Sequence, residues 1–247
     1  MNRRLYVLAL ALLLFVIRAW AEGGIVLEAD TDHVDISSTF AGTDVRIHGA
    51  IDVAADLIIK ITGPEQEVTL SREMQRGPFW IEGGKADVSG APSLVYLFAT
   101  KPIASLLPPA ERIRYGLDLE AVALHIEPQA GGISEDRWRR AFFRLKERDH
   151  MYLEDDRAIR ITRNRLVLSD INLPAEIEFG TYRIEALLVR GGKVIGRDAG
   201  QFEVRQVGIG RWVWQAAHLH AWLFGVACTL AAMLLGFVLN AAIHRRQ

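Results

Sequence analysis

The sequence predicts a mostly β protein: an immunoglobulin-like β-sandwich body with a helical segment inserted, followed by one C-terminal transmembrane helix. Segments of alternating apolar and polar residues recur before residue 104 and after residue 151, helix signals lie between them, and a late apolar run is long enough to cross a bilayer. The predicted boundaries are 1–21 for a signal peptide, 22–104 and 151–207 for the β portions, 105–150 for the helical insert, 208–220 for an interfacial linker, 221–243 for the transmembrane helix and 244–247 for a cytoplasmic tail.

The N-terminal segment has the order of a secretory signal peptide. Arg3 and Arg4 precede the apolar run Leu5–Ile17, and Ala19-Trp20-Ala21 supplies the small residues of a cleavage site. The run is shorter than the ~20 residues that a membrane span needs. We therefore expect cleavage after Ala21, with an uncleaved anchor as the alternative.

The first β portion is predicted from period-2 alternation. In Thr43–Ile51, the apolar Val45 and Ile47 share one face and the polar Arg46 and His48 share the other, which is typical of a half-buried strand. Glycines at 83, 84 and 90 are expected to separate the later strands. The predicted strands are Val34–Phe40, Thr43–Ile51, Asp56–Thr62, Glu67–Ser71, Pro78–Glu82 and Ser93–Thr100.

Helices are expected over Pro108–Tyr115, Leu117–His125 and Ser134–Asp149. The last begins with Ser134 as N-cap and carries acidic residues in its first turn. Its buried stripe is predicted to consist of Trp138, Phe142 and Leu145. Its basic residues are expected on an exposed side, either as a solvated face or as a docking surface, and are Arg137, Arg139, Arg140, Arg144, Lys146 and Arg148.

Strands return after the helical insert. Alternation is strongest in Thr181–Val189, and Gly180-x-Tyr182 at its start is a weak signal for the tyrosine corner of immunoglobulin-like sandwiches. The strands predicted here are Ala158–Ile161, Arg165–Leu168, Thr181–Val189, Lys193–Ile195 and Gly200–Val204.

The run Ala221–Ile243 is almost wholly apolar and predicts a single membrane span. The residues that flank this span predict its orientation. Tryptophans lie at its N-terminal end and basic residues follow its C-terminal end, so the chain before the span is expected outside the cytoplasm. These interfacial anchors are Trp212, Trp214, Trp222, Arg245 and Arg246. Small or polar residues one turn apart form a candidate helix-packing face, and they are Cys228, Ala232, Gly236 and Asn240.

Several short stretches come in an order that resembles the alphaproteobacterial transmembrane protein family. They are Gly49-Ala50-Ile51, Ile61-Thr62-Gly63-Pro64, Gly77-Pro78-Phe79-Trp80-Ile81, the run Ala91–Pro102 and Gly180-Thr181-Tyr182, followed by the terminal helix. The resemblance covers nearly the whole mature chain. It implies a signal-bearing, membrane-anchored envelope protein without an assigned reaction, and a link with sulfite-exporter-like transporters.

Composition and motifs argue against several function classes. With 29 Lys+Arg against 30 Asp+Glu, the chain has no basic field that would favour nucleic acid. The sequence contains no G-x-S-x-G elbow and no phosphate-binding glycine loop, so neither an enzyme nor a cofactor is expected. His218 and His220 are weak metal candidates, because two ligands do not complete a site.

The sequence thus predicts a single-span inner-membrane protein with a periplasmic body and a cytoplasmic C-terminus. The leading functional hypothesis is a non-catalytic accessory or interaction partner of another membrane protein. Under this hypothesis, membrane lipid contacts the transmembrane helix. The sequence is also compatible with a homo-oligomer. The alternatives are a periplasmic ligand-binding or metal-handling module and, less favoured, an envelope hydrolase.

Overall fold

The computed structural model describes residues 24–76, 78–130, 132–207, 217–218 and 221–244. This part of the chain is mostly β, which confirms the predicted class. The strands are β1 Ile25–Ala29, β2 His33–Ile36, β3 Thr43–Ile51, β4 Asp56–Thr62, β5 Glu65–Arg76, β6 Phe79–Pro92, β7 Val95–Ala99, β8 His125–Ala130, β9 Tyr152–Asp155, β10 Ile159–Thr162, β11 Leu166–Leu173, β12 Gly180–Arg190 and β13 Lys193–Gln206. The helices are α1 Ile103–Leu106, α2 Pro109–Tyr115, α3 Glu135–Arg148 and α4 Ala221–His244, with a 3₁₀ turn at Leu119–Ala121.

The strands form three sheets. Sheet A has the order β1-β3-β11-β10, sheet B the order β2-β13-β12-β4-β7-β9, and sheet C the order β5-β6-β8. Neighbouring strands are antiparallel where their register is defined, except that β7 and β9 run parallel. In β3 the apolar residues are buried and the polar residues are exposed, as the period-2 pattern predicts.

One long ribbon connects sheet B to sheet C. Strands β4 and β7 pair as far as Thr62 and Val95, and β5 and β6 resume the pairing at Glu65 and Pro92. Between them, Gly63 donates its N–H to the carbonyl of Leu94 at 2.9 Å, and Ser93 donates to the carbonyl of Pro64 at 2.7 Å. The backbone ladder is therefore unbroken from the body into the hairpin of sheet C. We call residues 63–64 and 93–94 the ribbon clamp.

A tyrosine corner lies beside the ribbon clamp. The Tyr182 hydroxyl donates to the carbonyl of Glu178 at 2.9 Å, and its ring stacks on Phe202 with centroids 5.2 Å apart. Tyr182 is fully buried. The geometry is the one that the Gly180-x-Tyr182 pattern predicts, since the hydroxyl bonds the backbone a few residues upstream.

Several predicted boundaries are confirmed. Strands β3 and β4 have the predicted limits, and α2 and α3 match two of the predicted helices within one residue. Ser134 is the N-cap position of α3 but makes no side-chain capping hydrogen bond. The predicted strands in 193–204 are one strand, because β13 pairs with β12 along its length and Gly200 lies opposite Ile184.

Two predictions about the middle of the chain are wrong. The helix expected at Leu117–His125 is only a 3₁₀ turn followed by β8, since Gly116 ends α2 in the left-handed conformation and His125 then pairs with Ser89. The insert at 105–150 is therefore not wholly helical. The glycines expected to separate strands instead lie inside β6, because pairing with β5 and β8 holds that strand together.

The described chain divides into two units, each considered by itself. One consists of Ala41–Val204 with the segment that ends at Val34, and the other of Asp35–Phe40 with the segment from Arg205 onward. In the second unit, α4 exposes Trp222, Val226 and Met233. Among the described residues, no helix combines the length and the apolar character that crossing a membrane requires.

The ribbon clamp generates a stability prediction. A Cβ added at Gly63 would lie 2.4 Å from the Ser93 hydroxyl oxygen and 3.1 Å from the backbone nitrogen of Leu94. We expect Gly63→Ala to lower the free energy of unfolding by about 1–3 kcal/mol through overpacking. Urea unfolding of the full-length protein in mild detergent, followed by circular dichroism, measures the change.

Gly200→Ala is the matched control for this prediction. Nothing lies within 4 Å of a Cβ added at Gly200, so this change should stay within about 0.5 kcal/mol of wild type. Equal free energies of unfolding for the two variants would contradict a tightly packed clamp.

Candidate functional site

The hairpin of sheet C extends well beyond its support. Strand β5 contains 12 residues, which corresponds to roughly 40 Å of extended chain. Its third strand, β8, pairs with β6 only from Lys85 to Ser89. The part formed by residues 72–76 and 79–84 is thus a two-stranded ribbon among the described residues, and we call it the distal ribbon.

The distal ribbon exposes large apolar side chains. Phe79 is 70% exposed, Met74 is 40% exposed and Ile81 is 37% exposed. Gly83 allows Met74 to lie across the ribbon, because a Cβ at that glycine would come within 2.5 Å of the Met74 thioether. A two-stranded hairpin has little stability of its own in water, so these side chains have no core to join within the ribbon.

The charged positions of the distal ribbon are balanced. Glu73 of β5 lies opposite Glu82 of β6 in the strand register, and β5 also carries Arg72 and Arg76. Because successive strand residues alternate between the two faces, positions 73 and 82 lie on the face opposite to that of the apolar residues. The distal ribbon therefore combines exposed apolar area on one face with no net charge.

The base of the hairpin, in contrast, is held by buried polar contacts. Lys146 of α3 is only 8% exposed and donates from Nζ to the carbonyl of Ser93 at 2.9 Å. Tyr152 of β9 donates from its hydroxyl to the carbonyl of Pro92 at 2.9 Å. The Lys146 ammonium also lies 5.8 Å from the Phe142 ring centroid and 5.7 Å from that of Tyr152, within the range of cation–π attraction.

Burial shifts the protonation of these groups. It lowers the pKa of Lys146 from its ordinary 10.5 to about 8, while the nearby carboxylates of Glu178 and Asp149 oppose the shift. It raises the pKa of Tyr182 to about 12 and raises that of Tyr152 as well. The tyrosines therefore stay neutral donors, and Lys146 is the group here whose charge changes nearest to neutral pH.

The residues singled out from the sequence lie mostly apart from the hairpin. Cys228, Ala232 and Gly236 are exposed on α4, and Trp222 of the same helix is 73% exposed. Their part in helix packing or interfacial anchoring stays a prediction. The other members lie outside the described residues or side chains, and they are Trp212, Trp214, Asn240, Arg245 and Arg246.

The histidine pair is not brought together as a site in the described chain. His218 is exposed, and His220 lies outside the described residues. Within the part of the chain that the structure describes, no three histidine, cysteine or acidic side chains are grouped so that they could hold a metal ion.

Sequence reasoning missed the two features that matter most at the hairpin. Lys146 was expected on the exposed basic side of α3, but it is buried with Trp138 and Phe142. The spacing 138, 142 and 146 is a helical stripe of i, i+4 and i+8, so periodicity alone could have placed Lys146 on the buried face. The exposure of Phe79 had a signal too, since a Gly-Pro turn directly precedes it.

Comparison with known proteins agrees with the resemblance seen in the sequence. A family model described as "Putative transmembrane protein (Alph_Pro_TM)" matches residues 24–245. The search of curated proteins found no match. One solved structure that matches is described as "Structural basis of T cell specificity and activation by the bacterial superantigen toxic shock syndrome toxin-1". The match has 10% sequence identity and a TM-score of 0.28, and it covers 74% of this chain and 100% of that chain.

The buried lysine generates a prediction about pH. Because the folded pKa of Lys146 is about 8 and the ordinary value is 10.5, the unfolded state binds more protons between these pH values. Stability from this group therefore rises as the pH increases from about 8 to 10.5. The free energy of unfolding of wild type minus that of Lys146→Met should increase over this interval by on the order of 2–3 kcal/mol.

Urea unfolding of the full-length proteins at a series of pH values measures this difference. Lys193→Met serves as the control, since it removes a lysine that is exposed to water. A flat curve for Lys146→Met would mean that the ammonium is not desolvated in the folded protein.

Proposed function

This chain belongs to the transmembrane protein family whose model matches residues 24–245, and on that premise we propose that it is a non-catalytic docking protein of the cell envelope. Its partner is another membrane protein, such as the sulfite-exporter-like transporter that the resemblance implies. The observation that carries the proposal is the distal ribbon, which exposes Phe79, Met74 and Ile81 without a third strand beside it.

The proposed anchor is the C-terminal helix. Helix α4 has 24 residues, or about 36 Å at ~1.5 Å per residue, and a hydrocarbon core is ~30 Å thick. Its side chains are described no further than Gly236, and the sequence of the whole run Ala221–Ile243 is almost wholly apolar. Trp222 lies near one end of this run, and Arg245 and Arg246 follow the other end. Under the positive-inside rule, this order places the body in the periplasm and the C-terminus in the cytoplasm. The signal peptide at 1–21 would direct the body there.

The proposed body is an immunoglobulin-like sandwich made by sheets A and B. Two contacts support it: the tyrosine corner at Tyr182, and the Tyr96 hydroxyl of β7, which donates to the carbonyl of His150 at 2.9 Å and lies 3.3 Å from the carbonyl of Asn172 in β11. The approach of Tyr96 to Asn172 brings side chains of sheet B against sheet A. Helix α3 and strand β8 are additions that hold the hairpin in place.

A protein partner suits the distal ribbon better than a lipid surface. Arg72 and Arg76 balance Glu73 and Glu82 in the distal ribbon, so it has no net positive charge to attract an anionic membrane surface, whereas a protein can offer an apolar pocket. Aromatic anchors of this kind account for much of the binding energy at protein interfaces. Phe79 is the most exposed of the three apolar side chains and is the proposed anchor.

Site-specific crosslinking tests the docking role. A photocrosslinking amino acid at Ile81, an exposed position of β6 on the same face as Phe79, should capture one membrane protein in native membranes. Adding Phe79→Ser should lower that product at least about tenfold at equal expression, because an interface anchor contributes about 2 kcal/mol or more.

Ile113→Ser is the matched control. Ile113 of α2 is 68% exposed, close to the 70% of Phe79, but it lies outside the distal ribbon. The control should keep the crosslinked product. An equal loss in both variants, crosslinks to lipid alone, or a yield that Phe79→Ser leaves unchanged would overturn docking by the distal ribbon.

A second experiment tests the proposed topology. A reporter that is active only in the cytoplasm should give signal when fused after Gln247, because the basic flank holds the C-terminus inside. The same reporter inserted between Gly131 and Gly132 should give none. The reverse pattern would place the body in the cytoplasm and remove the basis for an envelope function.

A further inference from the structure

A groove lies on one face of sheet B, beside the end of α2. Its volume is about 560 Å³, within the range of about 300–1,000 Å³ that is usual for small-molecule sites. We call it the sheet groove, and its main lining residues are Lys60, Arg114, Tyr115, Glu185, Leu187 and Arg197.

Lys60 provides a nearly buried cation in the sheet groove. Its side chain is 19% exposed, and its Nζ donates to the carbonyl of Tyr115 at 3.1 Å. The same nitrogen is 3.6 Å from the Glu185 carboxylate, which is longer than a good hydrogen bond. An ammonium has three donors, so this cation retains hydrogen-bonding capacity for a ligand.

Two arginines stand at the exposed edge of the groove. Arg114 is 71% exposed, lies 5.7 Å from the Tyr115 ring centroid and is 3.9 Å from the Glu111 carboxylate. Arg197 of β13 is exposed and has no ion pair among the described residues. Both guanidinium groups therefore keep the planar donor pairs that recognise carboxylate and phosphate oxygens.

The groove contains two carboxylates beside its three basic side chains. Asp198 accepts the N–H of Leu27 at 2.7 Å and the N–H of Ala199 at 3.0 Å. Glu185 lies 3.6 Å from the Lys60 ammonium. The lining therefore has one more positive than negative side chain.

We propose that the sheet groove binds a small molecule with a carboxylate or phosphate group. The anionic group would be held by Arg114 and Arg197 with Lys60 beneath it, and Leu187 with the Tyr115 ring would contact the uncharged part. The groove is separate from the distal ribbon in sequence and sheet, so this binding does not depend on the docking role. It gives the periplasmic body a ligand site of defined chemistry.

Isothermal titration calorimetry of the full-length protein in neutral detergent tests the proposal. The probes are succinate and inorganic phosphate, with choline as a cationic comparison, all at constant ionic strength in chloride. Saturable binding of succinate or phosphate but not choline is expected. The double variant Arg114→Gln with Arg197→Gln should weaken that binding at least about tenfold, as loss of charge-assisted hydrogen bonds predicts.

Arg137→Gln with Arg140→Gln is the matched control. It removes the same net charge from exposed positions of α3, outside the groove, and should bind like wild type. Three results would overturn the proposal: no saturable binding of either anion, equal weakening in both double variants, or full binding by the Arg114/Arg197 variant. Crosslinking through Ile81 should be the same in both double variants, which keeps this test distinct from that of the docking role.

Discussion

The ribbon clamp is the constraint on which the rest of the body depends. Two backbone hydrogen bonds, of 2.9 Å and 2.7 Å, carry one antiparallel ladder from sheet B into sheet C. Without them β5 and β6 would be a separate hairpin, and an isolated hairpin is marginal in water. The body supports the clamp from two directions, since Lys146 binds the carbonyl of Ser93 and Tyr152 binds that of Pro92. These buried donors satisfy carbonyl groups that would otherwise be costly to remove from water.

The clamp also explains why short, separated stretches characterise this family resemblance. Gly63 and Ser93 come from two of the stretches and touch each other, since a Cβ at Gly63 would meet the Ser93 hydroxyl. Gly180, from a third stretch, has a φ of 139° and lies where a Cβ would be 3.1 Å from Pro64. Only glycine avoids both strain and contact there. Three of the stretches thus meet at one point in space, whereas the stretch Gly49–Ile51 lies in β3 of sheet A.

The alternation of apolar and polar residues predicted those strands and helices that have one buried face and one exposed face. Strand β3 alternates buried and exposed residues, and its limits followed from that alternation. The strand breaks predicted at Gly83 and Gly90 are wrong, because both glycines lie inside β6. Pairing with the neighbouring strands there outweighs the conformational freedom of glycine. The burial of Lys146 was missed because residue type was weighed above helical spacing. The sheet groove could not be predicted from the sequence, because Lys60, Arg114 and Arg197 come from two strands and a helix that are far apart in the chain and meet only in the folded protein.

Under the docking proposal, stability and recognition lie at opposite ends of the same ribbon. At the clamp, side chains are buried and the backbone groups are hydrogen-bonded, so changes there alter the free energy of unfolding. At the distal ribbon, Phe79 is exposed and contributes little to the folded chain alone. Its removal should therefore affect association far more than folding. Because the ladder between the two ends is continuous, the proposed partner would bind strands that the body already holds in register, and little of its binding energy would be spent on ordering them.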